Sequence, residues 1–452
     1  MKVAVIGAGI IGVTTAYELS ADGHQVTVFE RRGSVAAEAS FANAGVIAPG
    51  YVTPWAAPGM PAKVLGHLFA RHAPVRLRPG MSPATLKWLW AWWRACRLRT
   101  YRANRLRMQR LASYSRERLH HLTRDLKLDY ERADGCLVLL RSAQDLALAQ
   151  PGLALLTEQA LRFDLLDGAQ CRAVEPGLSP DTSLHAGIYL PGDEVGNCRQ
   201  FAHLLRHEAQ RLGARFRFHS DVSRIIPGAQ PQLVHTHAPP DNAVLLAAAG
   251  NADHRAFADT QPMTPALASG PITQAFDAIV VCNALGAPTL LRPHGLKLPL
   301  LAVHGHSITA PLRQHETHPD HGPRAGLMDE RYKVAISRLG ARVRVAGGAE
   351  IGGSLQQHDE RALATLYKVL HDWFPGTAHL SQVQRWKGAR PMLPDGPPVL
   401  GRSGVDGVWL NLGHGSSGWA LACGSARLLA DSLAGRAPAI DIEGLGVERL
   451  TG

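Results

Sequence analysis

Gly7, Gly9 and Gly12 follow the apolar run VAVIG as G-x-G-x-x-G, and Glu30 lies eighteen residues beyond the last of them. That spacing suits a dinucleotide. Glycines let a backbone turn approach a pyrophosphate, the helix N-terminus after them faces the phosphates, and an acid ending the next strand accepts hydrogen bonds from a ribose hydroxyl. A second glycine-rich turn, Gly413, Gly415, Ser416, Ser417 and Gly418, leads into an apolar segment from Trp419 near the other end of the chain. The positive end of a helix there would stabilise the negative N1/O2 edge of a reduced flavin. Two such helix starts suit a long ligand held at both its phosphates and its ring. The small polar stretch SFANAG (Ser40 to Gly45) also stands where a nicotinamide domain would place its next strand. Both observations favour FAD over NAD.

The elements that must position these residues are legible from their patterns. VAVIG is a continuous apolar run suited to a buried parallel strand, IGVTTAYELSADG follows with a helical pattern, and HQVTVFE gives a second strand ending in Glu30. RFRFHSDVSRI reads as a short alternating strand around Val222, and FDAIVVCNALGAP as a buried strand followed by Asn283, Ala284 and Gly286. GVWLNLGHGSSGWALACGSARLLADSLAG reads as strand, turn and helix. The expected fold is α/β, α+β overall, with a Rossmann-like sheet assembled from at least three separated segments. At 452 residues, with 46% hydrophobic and 19% charged side chains, the chain is long enough for two or three globular domains. Its six cysteines are scattered without a C-x-x-C, which argues for reduced thiols over a disulfide framework or a zinc site. HETHPDH (His315 to His321) lacks H-E-x-x-H spacing and is broken by Pro319, so it reads as a loop and no metal site is expected. Met1 leads straight into the first strand, which is unlike a signal peptide, and no apolar run reaches the roughly 18–20 residues of a membrane span.

GAGIIG, SFANAGVIAPGYVTPWAAPG, LPGDEVGNCRQF, DERYKVAISRLG, GARPMLPDGPPVLG and LNLGHGSSGWALACGS together resemble the bacterial D-amino acid dehydrogenases, FAD enzymes of the D-amino acid oxidase and glycine oxidase superfamily. The likeness runs almost end to end and lapses between Gly228 and Ala275, which reads as an enlarged surface loop or hairpin. The resemblance implies an FAD-binding domain from residues 1–50, 192–292 and 388–445, and a substrate domain on an antiparallel sheet from 51–191 and 293–387. It implies that Gly7, Gly9, Gly12, Glu30 and the adjoining Arg31 hold the ADP half. Ser40, Asn43, Ala44 and Gly45 would line the pyrophosphate and flavin, Val222 would meet the adenine side, Asn283 and Gly286 would belong to the same cofactor site, and Gly413 to Gly418 would meet the flavin ring. Arg390 in GARPMLPDG matches the arginine that pairs with the substrate carboxylate. A guanidinium grips a carboxylate bidentately, and Pro391 restricts Arg390 to extended backbone.

The implied reaction is oxidative deamination of a D-amino acid to a 2-oxo acid and ammonia, with electrons passed from FAD to a membrane quinone or another acceptor that is not oxygen. A neutral substrate amine is required, so the rate should rise with pH. Tyr332 and Tyr51 are candidate pocket hydroxyls. VHGHSI departs from the family pattern by placing His304 and His306 where a lysine and a tyrosine are expected, and His306 is a candidate for the pocket. Alternatives are an oxygen-using amino-acid oxidase of the same fold, a D-proline or hydroxyproline dehydrogenase, and a basic nucleic-acid-binding flavoprotein.

The net charge of +11 is localised. Residues 71–118 hold thirteen Lys or Arg against the single acid Glu117, while the remaining chain holds 35 basic and 36 acidic residues. Within that region LKWLWAWWRACRLRTYRANRLRMQR (residues 86–110) places Trp88, Trp90, Trp92 and Trp93 ahead of seven arginines. At 100° per residue Trp88 and Trp92 share one face, and Trp90 and Trp93 another. One reading is an internal helix of the substrate domain. A second is shallow attachment to an anionic membrane surface through residues 64–110, with VLGHLF (Val64 to Phe69) as another insertion. That reading places the protein in the cytoplasm, peripherally on the inner face of the bacterial membrane. A third, nucleic acid, has no RNA-binding motif to support it.

Overall fold

The computed structural model describes residues 1–67, 72–79, 81–237, 270–313 and 321–450. Residues 68 and 69 of the expected second insertion, most of the HETHPDH loop and residues 238–269 of the 228–275 stretch lie outside it.

The apolar run after Met1 becomes the strand Lys2–Ile6, buried from Val3 onward because parallel neighbours pair with it on both edges. It is central in a six-stranded sheet of order Val399–Arg402, Val408–Leu412, Ala278–Val281, Lys2–Ile6, Gln25–Phe29 and Arg215–Arg217, parallel except for the first pair. This is the Rossmann-like sheet, drawn from well-separated segments. Helices Ile10–Ala21, Cys198–Arg211 and Gly418–Leu433 bury Val13, Phe201 and Leu421 in one core on its face. RFRFHSDVSRI is not one strand. It breaks at His219, which adopts a left-handed φ of 53°, and the second half, Ser220–Ile226, enters a separate antiparallel sheet with Gln232–His237 and Ile272–Ala275. The described ends of the 228–275 stretch are therefore paired strands.

A larger sheet orders Gln384–Met392, Leu301–Pro311, Arg342–Ile351, Val334–Leu339, Gly326–Asp329, Ala133–Leu140, Ala186–Val195 and Val46–Ile47. Short strands Val75–Leu77 and Asp164–Leu166 add beside Arg342–Ile351 and Ala186–Val195. Its pairings are antiparallel except those of Gly326–Asp329 with Ala133–Leu140 and of Arg342–Ile351 with Val75–Leu77. Gln384–Met392 is an edge strand, which is where a sheet tolerates Pro391, a residue with no N–H to donate.

The tryptophan–arginine stretch is two helices. Ser82 caps the first, Pro83–Ala95, by accepting from the Thr85 amide at 3.2 Å, and the second, Leu98–Leu126, starts after a break at Cys96 and Arg97. Trp88 and Trp92 are buried beside Val303 and Met392 of the large sheet, whereas Trp90 and Trp93 are 56% and 57% exposed. The second helix, expected on the substrate side, packs Leu111, Ala112 and Leu119 into the core of the Rossmann-like half. Its arginines divide: Arg99 and Arg102 are exposed, Arg105 is buried against Tyr101 and the Gly152 carbonyl, and Arg110 pairs with Asp441 at 2.7 Å. No helix among the described residues is long and apolar enough to cross a membrane.

Candidate functional site

One continuous cavity of about 2100 Å³ is lined from both the six-stranded sheet and the larger sheet. Small-molecule sites typically enclose roughly 300–1,000 Å³, so this one has room for a long ligand and a second, smaller one. Gly7, Gly9, Glu30, Arg31, Ser40, Asn43, Ala44, Gly45, Val222, Asn283, Gly286, Arg390, Tyr51, His306 and the turn Gly413 to Gly418 all border it.

At the first turn, Gly12 packs so closely that a Cβ there would collide with the Gly7 carbonyl. Ser40 Oγ accepts from the Ile10 amide at 3.1 Å. Helix Ile10–Ala21 has no acid in its first turn and no side-chain cap at Gly9, so its positive end opens on the cavity. Glu30 braces this turn, accepting from the Ala8 amide (2.7 Å) and the Arg32 amide (2.8 Å), while burial raises its carboxyl pKa. Arg31 pairs with Glu38, which Arg32 also engages at 2.9 Å.

The SFANAG segment is pinned by its carbonyls. Ser307 Oγ donates to Ala42 O (2.8 Å), Arg344 Nη1 to Asn43 O (3.1 Å), Ser337 Oγ to Ala44 O (2.7 Å) and the Gly196 amide to Gly45 O (2.8 Å). The amides of Ala42, Asn43 and Ala44 have no acceptor among the described residues, and they lie along the cavity wall. Ser307, Ser337 and Arg344 were not singled out in the sequence. They come from three strands of the large sheet, and nothing local marks them.

At the far end, helix Gly418–Leu433 also begins without an acid or a side-chain cap. The turn before it is tied to the edge strand by a bridge between Met392 and His414. His414 is buried with Nε2 3.1 Å from Ser425 Oγ, and burial pulls its pKa down to about 3, so the ring is neutral. Buried Asn283 Oδ1 has no partner. These features fit FAD: two open helix N-termini, three amides lacking acceptors and an unpartnered carboxamide line one continuous cavity.

Arg390 projects from the edge strand over Gly305, where any Cβ would collide with its guanidinium, and Nη1 donates to Gly348 O at 2.8 Å. Burial lowers its pKa to about 10, so it remains charged at neutral pH. No carboxylate among the described residues pairs with it. Tyr51 donates to Glu330 (2.7 Å) and accepts from Lys333 (3.1 Å), and burial holds its phenol well above the usual range. Tyr332 lies off the cavity: its ring packs under Arg141 and Lys368 and beside His72. The structure thus removes it from the pocket hydroxyls, because the turn after Asp329 directs Glu330 and Lys333 inward instead. His304 is also off the cavity, with Nδ1 3.2 Å from Gly352 O. His306 borders the cavity, accepts from the Asp359 amide through Nε2 (3.1 Å), and has its pKa lowered to about 4 by burial and then by Lys387. No group of metal-ligating side chains occurs among the described residues.

Residues 2–432 match the family described as FAD dependent oxidoreductase, DAO. A D-amino acid dehydrogenase of Rhizorhabdus wittichii is 41% identical over 451 residues, 99% of this chain and 100% of its own length. One from Cereibacter sphaeroides is 42% identical over 453 residues, 99% of this chain and 95% of its own. Glycine oxidase from Geobacillus kaustophilus shares the fold with a TM-score of 0.71 at 18% identity, covering 99% of this chain and 98% of its own. With the family spanning nearly all of the sequence and these relatives aligned along its full length, the protein belongs to the FAD-dependent oxidoreductases.

Proposed function

We propose that the protein oxidises D-amino acids to 2-oxo acids and ammonia, with Arg390 holding the substrate carboxylate. The observation that carries this reading is a half-buried, charged guanidinium with no carboxylate partner among the described residues, bordering a cavity suited to FAD. A charge partly withdrawn from water gains from a paired counter-charge, and a ligand carboxylate in the cavity would supply it. The full-length relatives described as D-amino acid dehydrogenases favour the same chemistry.

Bound FAD supplies the two-electron acceptor for the α-hydrogen. The chain's own contribution is orientation. Gly305 and the Gly348 carbonyl fix the guanidinium, which would hold the carboxylate and so place Cα within the cavity. Loss of the α C–H as hydride and of a proton from the neutral amine leaves an imine, and water then releases the 2-oxo acid and ammonia. In this reading Gly7 to Gly12, Val222, Asn283 and Gly286 would hold the cofactor's nucleotide half, Ser40 to Gly45 would line its pyrophosphate and flavin, and Gly413 to Gly418 would meet its ring.

The final acceptor in this reading is a membrane quinone or another molecule that is not oxygen, reached by peripheral attachment on the cytoplasmic side. Exposed Leu86, Trp90, Trp93, Leu98 and Leu106 beside exposed Lys87, Arg94, Arg97, Arg99 and Arg102 support it. The test of the reaction is anaerobic bleaching of the purified flavoprotein by D- and L-amino acids. D-amino acids should bleach it, and Arg390→Met should lower kcat/KM with a redox dye about 100- to 1,000-fold, the equivalent of about 3–4 kcal/mol. Bleaching by no D-amino acid would overturn the reading. Stoichiometric peroxide in air would favour the oxidase alternative.

A further inference from the structure

The large sheet carries one register row across seven strands: Trp386, Ser307, Ala346, Ala335, Met328, Val138 and Ile188. All but Ser307 border the cavity, and Ser307 points the same way, toward Ala42. Arg390 stands four residues beyond Trp386 on the same strand, so both project from the same face. Because that strand is the sheet's edge, a molecule anchored at Arg390 has sheet beneath it only on the side of Leu301–Pro311. Arg390 itself pairs with Val303, and its guanidinium reaches back over Gly305 toward the row.

The distances along that floor follow from strand spacing. Neighbouring strands lie about 4.8 Å apart and residues rise about 3.3 Å along a strand. From Gly305, two residues before Ser307 of the row, Ala346 is therefore roughly 8 Å away, Ala335 roughly 12 Å and Met328 roughly 16 Å. A phenylalanine side chain reaches roughly 6–7 Å beyond Cα on ordinary bond lengths. Two alanines, Ala346 and Ala335, lie along its path, and their small side chains leave depth for it. Beyond them Met328, Val138 and Ile188 give an apolar end, backed by Leu153 and Leu156. The row contains no ionised side chain. Glu330 and Lys333, which border the cavity beside Tyr51, are paired with each other and with it.

We infer that the substrate side chain lies along Ala346, Ala335 and Met328, and that the site selects D-amino acids with large apolar side chains, with Ala335 as the specificity-determining position. This rests on the reading of Arg390 as the carboxylate anchor. A charged side chain on this floor would be desolvated without a partner, whereas each added methylene gains roughly fourfold in affinity through burial.

The test compares kcat/KM of the holoenzyme for D-alanine, D-leucine, D-phenylalanine, D-glutamate and D-lysine with a redox dye. D-Leucine and D-phenylalanine should exceed D-alanine at least tenfold, and the two charged substrates should fall at least tenfold below D-leucine. Ala335→Leu and, independently, Met328→Phe should each lower the D-phenylalanine to D-alanine ratio at least tenfold. A binding readout free of turnover is the perturbation of the flavin spectrum by benzoate and by acetate, and Ala335→Leu should weaken benzoate selectively. D-Alanine oxidised better than D-phenylalanine, or both variants lowering the two substrates equally, overturns the inference and leaves the reaction standing. Failure of every D-amino acid overturns both.

Discussion

The two histidines flanking Gly305 show how a sequence departure resolves at single-residue scale. Gly305 makes room for Arg390, while His304 and His306 serve structure around it. Because His306 Nε2 accepts a hydrogen bond from the Asp359 amide, that nitrogen must be unprotonated in the folded chain. A base whose pKa falls on folding, here to about 4, binds protons more weakly folded than unfolded. The stability it contributes is complete above the ordinary histidine pKa of about 6.5 and is lost as pH falls toward 4. Lys387 and His358 reinforce the neutral ring, and Glu350 and Asp359 oppose that effect. His306→Gln retains an acceptor and does not titrate. Relative to it, the wild type should lose an additional 2–3 kcal/mol or so between pH 6.5 and 4. Urea unfolding at several pH values checks this, and parallel profiles for the two proteins would contradict it.

At the scale of elements, the cavity depends on two helices whose positive ends meet the same ligand site. Glu18, fully buried near the far end of helix Ile10–Ala21, binds Arg118 of helix Leu98–Leu126 (2.7 and 2.9 Å) and Arg427 of helix Gly418–Leu433 (2.8 Å). This carboxylate sets the two helices in register with each other. Removing one partner of a buried ion pair costs about 3–5 kcal/mol, but Arg118 is partly exposed and Arg427 keeps Asp22 and Asp431. Glu18→Gln should therefore lower stability by roughly 2–3 kcal/mol and weaken FAD retention. A lowered urea midpoint with earlier flavin release would show this, and an unchanged midpoint would refute it. The strand–turn–helix units at both ends of the chain were legible because glycine spacing and apolar periodicity are local signals. The break at Cys96 and Arg97 was not, since neither glycine nor proline marks it. Nor was the inward turn of Glu330 and Lys333 in place of Tyr332, which depends on how the hairpin after Asp329 packs on Trp373 and Arg141. The faces of the tryptophan helix were legible, because 100° per residue already separates Trp88 and Trp92 from Trp90 and Trp93.

For the whole molecule, the exposed basic surface and the cavity mouth coincide. Lys63 and Val64 of helix Met60–His67 and Leu98, Tyr101 and Arg102 of helix Leu98–Leu126 border the cavity. The same two helices present Leu65 and Arg99 outward, the neighbouring helix Pro83–Ala95 presents Trp90 and Trp93, and Arg97 lies exposed in the break between Pro83–Ala95 and Leu98–Leu126. Meanwhile Trp88 donates to the Met392 carbonyl at 3.1 Å, so the helix that offers two tryptophans outward holds the Arg390 strand on its inner face. Only the outer pair is free to meet a bilayer, and a test replacing all four tryptophans would confuse docking with loss of the core. Tryptophan prefers the headgroup region, and each exposed basic side chain gains about 1 kcal/mol near an anionic surface. The protein should sediment with phosphatidylglycerol vesicles more than with phosphatidylcholine vesicles, and high salt should reduce the pelleted fraction. Arg94→Gln with Arg97→Gln removes about 2 kcal/mol of that attraction, which corresponds to about 30-fold in affinity. Trp90→Ser with Trp93→Ser should weaken binding to both vesicle types, while Trp88 and Trp92 keep the fold and dye-linked turnover intact. Equal pelleting by the wild type and both variants would mean that this surface meets something other than a membrane.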